Sequence, residues 1–205
     1  MFWAVRQLAV PLKYLRIQSG ETWAESKAVY DFAFPIILTA ASAGFCWLLG
    51  VPLSVSKLTG LSDGLSTLLA LLIGFYMAAL AAVATLQRDG LDQPLKGDPA
   101  KLRNGDNDDG TPKYKELSYR QFISYLFGYL SFLSLILYVA LLVLSKVWPI
   151  ITMKWNLWLC GADIIPLILE PGLFLAVVFS MWQLLIVSLL GIYFLSERLQ
   201  SLTDK

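Results

Sequence analysis

Four uncharged apolar runs, residues 32–53, 65–86, 122–144 and 173–195, constrain this chain more than anything else in it. Each is long enough, as a helix, to cross about 30 Å of hydrocarbon. Lipid offers no water to bond an open backbone, so runs of this kind become helices. The rest of the composition agrees: 57% hydrophobic residues, 15% charged and a mean hydropathy of +0.64 lie outside the range of a soluble domain. The expected fold is all-α, an integral membrane protein with four transmembrane helices as two hairpins, plus an N-terminal amphipathic helix and an outer interfacial segment.

Residues 1–18 place Trp3, Leu8, Leu12 and Leu15 at helical spacing, with Arg6, Lys13 and Arg16 on another face, which predicts an interfacial helix. Ser19 and Gly20 break it. Thr22 and Glu25 match a capping box that opens the first hairpin, residues 22–86, and Pro35 kinks the start of its first span. Residues 87–119 form a polar connector with four glycines and three prolines, read as irregular. Ser118 and Gln121 match a second capping box for the second hairpin, residues 120–195. Within it, residues 145–172 are too polar for a plain span and are broken by Pro149, Pro166 and Pro171. That segment should lie on the outer membrane surface, with Trp148, Trp155 and Trp158 at the water–lipid boundary. Residues 196–205 form a polar tail.

Thirteen of the sixteen lysines and arginines lie before the first span, between the second and third spans or after the last span. The positive-inside rule then predicts that both termini and the connector are cytoplasmic, in the cell (inner) membrane. Between Arg88 and Arg120 seven acids balance seven bases, so direct nucleic-acid binding, which needs excess cations, is not expected of the connector. Its bases Arg88, Lys96, Lys101, Arg103, Lys113 and Lys115 are instead candidate contacts for a cytosolic protein partner.

Two helix-packing signals stand out. Ala70, Gly74, Ala78 and Ala82 recur every four residues, a stripe that lets another helix approach, from the same subunit or from a neighbour in a homo-oligomer. Gln183 lies mid-span, where an amide is costly unless bonded, and is expected to face other helices with Ser180 and Ser188.

The chain has no histidine and only two cysteines, Cys46 and Cys160. The commonest general base and metal ligand is therefore missing, and no cofactor or metal is expected. Asp106, Asp108, Asp109 and Gly110 approach a calcium loop, but the glycine is misplaced and no glutamate stands at the right distance. No phosphate loop or nucleophile elbow occurs, which points away from an enzyme.

In size, in four spans, in two cytoplasmic ends and in a polar cytoplasmic middle, the chain resembles the membrane subunit of the bacterial Kiwa anti-phage defence system. That resemblance implies an oligomeric membrane scaffold and sensor that recruits a cytosolic DNA-binding effector subunit. The alternative is a small oligomeric pore that depolarises the membrane, lined by Gln183, Ser180 and Ser188.

Overall fold

The computed structural model describes residues 7, 10–18, 27–55, 60, 62–85, 91–93, 100–106, 112–158 and 169–198. They are mostly helical. The four long helices are α1 (Phe34–Leu48), α2 (Ser62–Thr85), α3 (Tyr119–Trp158) and α4 (Glu170–Tyr193). A π turn, Val29–Ala33, leads into α1, and another, Phe194–Arg198, extends α4. Segments Val29–Leu48, Asp63–Thr85, Tyr119–Ile151 and Glu170–Ser196 are long and apolar enough to cross a membrane. Large apolar side chains such as Ile37, Phe45, Trp47 and Leu71 are exposed on them, the pattern of helices whose outer surface meets lipid.

Boundaries differ from the sequence expectation for local reasons. The first helix stops at Leu48 rather than continuing to residue 53, because Gly50 takes a left-handed φ of +67°. Gly50 N–H donates to the Trp47 carbonyl and Val51 N–H to the Cys46 carbonyl, a Schellman closure that only glycine enters cheaply, and Pro52 follows. The third helix does the opposite. It runs through Pro149 to Trp158, so the expected break at residue 145 is absent. In an apolar surrounding, one lost N–H is a smaller penalty than an unwound backbone. At about 60 Å, the helix exceeds the roughly 30 Å hydrocarbon layer and projects beyond it or tilts.

Apolar burial against another helix gains little over burial in lipid, so close fit decides which helices pair. The most extensive packing is of α2 along α3, through Leu65, Leu69, Leu72, Tyr76, Ala79 and Val83. These recur at alternating steps of four and three, the spacing of a heptad seam. Helix α4 packs against both α3 and α1, whereas α1 and α2 are not among the extensively packed pairs of the described residues. The order across the bundle is therefore α2, α3, α4, α1, and the first two spans are consecutive without forming the tight pair expected of a hairpin. Gly191 permits the α3–α4 approach: a Cβ there would stand 2.9 Å from Leu126 Cδ2 and 3.2 Å from Phe127 Cζ.

The mostly helical fold agrees with the all-α expectation, and a small sheet is added to it. Strands β1 (Ile17–Gln18), β2 (Lys101–Asp106) and β3 (Pro112–Glu116) form an antiparallel sheet in the order β1-β2-β3. Ile17 pairs with Leu102, and Leu102 with Lys115. The connector is thus ordered where it is described, and the N-terminal segment contributes the short third strand. Of the expected amphipathic helix, Val10–Arg16 form a 3-10 turn that leads into β1, and residues 1–6, 8 and 9 lie outside the described residues.

Candidate functional site

The sheet end of the bundle is held by a buried polar cluster. Tyr14, Lys27 and Asp31 are 0%, 6% and 1% exposed. Lys27 and Asp31 are one helical turn apart, which puts them on one face. Lys27 Nζ pairs with Asp31 Oδ2, donates to the Tyr14 carbonyl oxygen at 2.8 Å and stands 3.5 Å from the centre of the Tyr14 ring. The Tyr14 hydroxyl donates to Asp31 Oδ1 at 3.2 Å. Its ring also stacks on Tyr129 of α3 at 5.0 Å and meets Phe122 at 6.4 Å. The N-terminal strap is therefore fastened to α1 by charge and to α3 by aromatic contact.

Proline completes the cluster. Pro35 has no N–H to return to the Asp31 carbonyl four residues earlier, and the chain widens into a π turn there. Gln183 of α4, itself buried, donates its Nε2 to that carbonyl at 2.9 Å. The adjacent Trp182 donates Nε1 to Ser42 Oγ at 3.0 Å, a second polar tie between α4 and α1.

Burial pushes the Lys27 ammonium below its ordinary pKa, with the Asp31 charge opposing that fall. Burial first, and the Asp31 charge second, hold the Tyr14 phenol well above its ordinary value. A buried ion pair recovers little net energy over an apolar pair, because desolvating two charges offsets their attraction. Its effect is geometric: each charge requires its partner, so the strap has one seat. All the polar atoms named here are engaged with one another, so the cluster fastens the strap to the helices.

The sheet is sewn to the helices nearby. Arg120, at the start of α3, donates Nε to Asp92 Oδ1 at 2.9 Å and Nη1 to the Val83 carbonyl of α2 at 3.2 Å. Leu117 N–H donates to the Ala100 carbonyl, and Arg120 N–H to the Leu91 carbonyl. Ser118 Oγ accepts from the Gln121 N–H at 3.4 Å, the N-cap half of the second capping box. Thr22 and Glu25 of the first box lie outside the described residues.

The residues singled out from sequence are dispersed. Ala70, Gly74, Ala78 and Ala82 are exposed, and a Cβ at Gly74 meets nothing within 4 Å, so among the described residues no helix packs on the stripe. Larger side chains on the other face of α2 supply more contact with α3 and take that role. Ser188 bonds Tyr76 of α2, while Ser180 returns to its own Ala176 carbonyl at 2.8 Å, so the two serines and Gln183 do not share one path. Trp148 is 5% exposed, buried with Val55 and packed against Leu144 and Leu173. Trp155 and Trp158 belong to the last turns of α3, and their side chains lie outside the described residues. Arg88 and Lys96 also lie outside them. Lys101 is exposed on β2, Lys113 and Lys115 are exposed on β3, and Arg103 pairs in register with Tyr114. Cys46 is a free thiol, and Cys160 is outside the described residues.

Sequence reasoning singled out none of Tyr14, Lys27 and Asp31. The four-residue spacing of Lys27 and Asp31, followed by a proline four residues beyond Asp31, was the available signal. Comparison with protein-family models, curated proteins and solved structures finds no match.

Proposed function

We propose that the protein is a non-enzymatic, homo-oligomeric membrane scaffold and sensor whose sheet end holds a cytosolic protein effector. One observation carries this reading: among the described residues β3 is an open edge strand, with Lys113, Tyr114, Lys115 and Glu116 all exposed, on a sheet whose first strand belongs to the locked strap. An open edge offers unpaired backbone groups to an added strand, and exposed charges of both signs set which strand fits. The distribution of lysine and arginine supports a cytoplasmic side for this end, by the positive-inside rule. The Tyr14–Lys27–Asp31–Gln183 cluster supplies the sensing half of the proposal, because it joins the strap to α1 and α4. A shift between those helices then moves β1 and with it the sheet. A role in anti-phage defence follows from the architectural resemblance to the Kiwa membrane subunit.

The test is purification in mild detergent from the native host, alongside a Lys113→Glu/Tyr114→Ala variant. The expected result is one cytosolic protein retained by the wild-type chain and lost by an otherwise well-behaved variant. Recovery of the wild-type chain without a partner across several detergents contradicts the proposal. The pore reading draws no support from Gln183 or Ser188, whose polar groups are occupied by other helices.

A further inference from the structure

We propose that a cavity at the sheet end binds a phosphate group, carried by an anionic lipid headgroup or by a soluble phosphate ester. The cavity measures about 510 Å³ and lies between the 3-10 turn, the sheet and the first turns of α3. That volume falls within the range of small-molecule sites. Three elements each contribute one cation to its lining: Lys13 from the turn, Lys115 from β3 and Arg120 from α3. Gln121, Ser124 and Tyr125 add neutral polar groups, and no acidic residue lines it.

Cations gathered from separate elements repel one another, so their convergence on one hollow favours an anionic occupant. Arg120 is fixed at the rim by Asp92 and the Val83 carbonyl, which neutralises part of its charge. Lys13 and Lys115 have no acidic partner among the described residues. The α3 N-terminus adds little of its own, because the N–H groups of Tyr119, Arg120, Gln121 and Phe122 are already bonded to protein oxygens. The site therefore rests on side chains. Its depth suits a phospholipid: the apolar span begins at Tyr119, which places Arg120 and Gln121 at the level of lipid phosphates. One and two turns deeper, the lining reaches Tyr125 and Gly128, and a Cβ added at Gly128 meets nothing within 4 Å. That space accommodates the glycerol and the first carbons of an acyl chain.

The full-length protein, in detergent doped with phosphatidylglycerol or phosphatidylcholine, is examined by native mass spectrometry. Glycerol 3-phosphate without lipid is a third arm, read by ligand-induced thermal shift. The wild-type chain should retain phosphatidylglycerol over phosphatidylcholine, and Lys13→Ala/Lys115→Ala should weaken that retention by about thirtyfold, from roughly fivefold per lysine. Lys101→Ala, exposed on β2 and outside the cavity, should leave it unchanged. If the double variant does not fold, Lys115→Gln alone should show the fivefold loss. A shift with glycerol 3-phosphate that Lys115→Gln removes identifies a soluble ester as the occupant and upholds the phosphate site. Equal retention of both lipids with no soluble shift overturns the proposal, as does an equal loss in Lys101→Ala.

Discussion

Replacing Lys27 by methionine removes the cation while leaving Asp31 in place. Lys27 and Asp31 are 6% and 1% exposed, so water cannot take over the role of the lost partner. Three contacts of Lys27 Nζ disappear together: the Asp31 carboxylate, the Tyr14 carbonyl at 2.8 Å and the Tyr14 ring at 3.5 Å. Stranding one member of a buried pair costs about 3–5 kcal/mol, and Asp31→Leu, which strands the other, should cost a similar amount. Lys27→Met/Asp31→Leu removes both charges and leaves only neutral groups of Tyr14 without partners, at about 1–3 kcal/mol each. The gain of about 1–4 kcal/mol from exchanging a buried ion pair for apolar side chains offsets much of that loss. The double variant is therefore expected to be more stable than either single one. Unfolding followed by tryptophan fluorescence in mild detergent measures all three, and limited proteolysis reports release of the strap. Single-variant losses that simply add in the double variant, or a Lys27→Met variant within about 0.5 kcal/mol of wild type, refute the reasoning.

Gly191→Ala is expected to cost about 1–3 kcal/mol, because its Cβ would press on Leu126 and Phe127. Gly74→Ala, which meets nothing, should change unfolding by no more than about 1 kcal/mol in the stabilising direction, and both are read from thermal unfolding in detergent. Gln183→Leu orphans the Asp31 carbonyl and should cost about 1–3 kcal/mol. In a Pro35→Ala background that carbonyl regains a backbone donor, so the same substitution should cost less, which a double-mutant cycle measures. The Tyr14 phenol is held well above its ordinary value of 10.0. A folded-state pKa above the unfolded one means that its contribution is fully present below pH 10 and is lost as pH rises beyond it. The loss approaches about 1.4 kcal/mol per pH unit. Tyr14→Phe should remove that part of the alkaline slope in unfolding titrations.

The four helices were legible because each is an apolar run long enough to leave the backbone no alternative in lipid. Their ends were less so. Gly50 and Pro52 announce the stop after Leu48, yet their apolar surroundings hide it, whereas Pro149 is a breaker in water that α3 absorbs. The sheet escaped a local reading because β1 and β2 are far apart in sequence, and only their pairing makes either residue run a strand. In the candidate site, the need of Gln183 for a polar partner was readable from its mid-span position, but its acceptor, the Asp31 carbonyl, follows from Pro35 and from the π turn. Tyr14 carries no local signal of its own, because its partners Lys27, Asp31 and Tyr129 are distant in sequence. The small-residue stripe on α2 was legible as a surface that permits close approach, but spacing alone does not say which helix, if any, comes near.

The central claim is that the β3 edge is where a cytosolic protein docks. A photo-crosslinking amino acid placed at Tyr114, in cells of the native host, tests it most directly. The account predicts one dominant adduct with a cytosolic protein at Tyr114 and none at Trp47, which is 80% exposed on the opposite part of α1. A Tyr114 probe that labels only lipid or no protein, while the chain is folded and inserted, contradicts it.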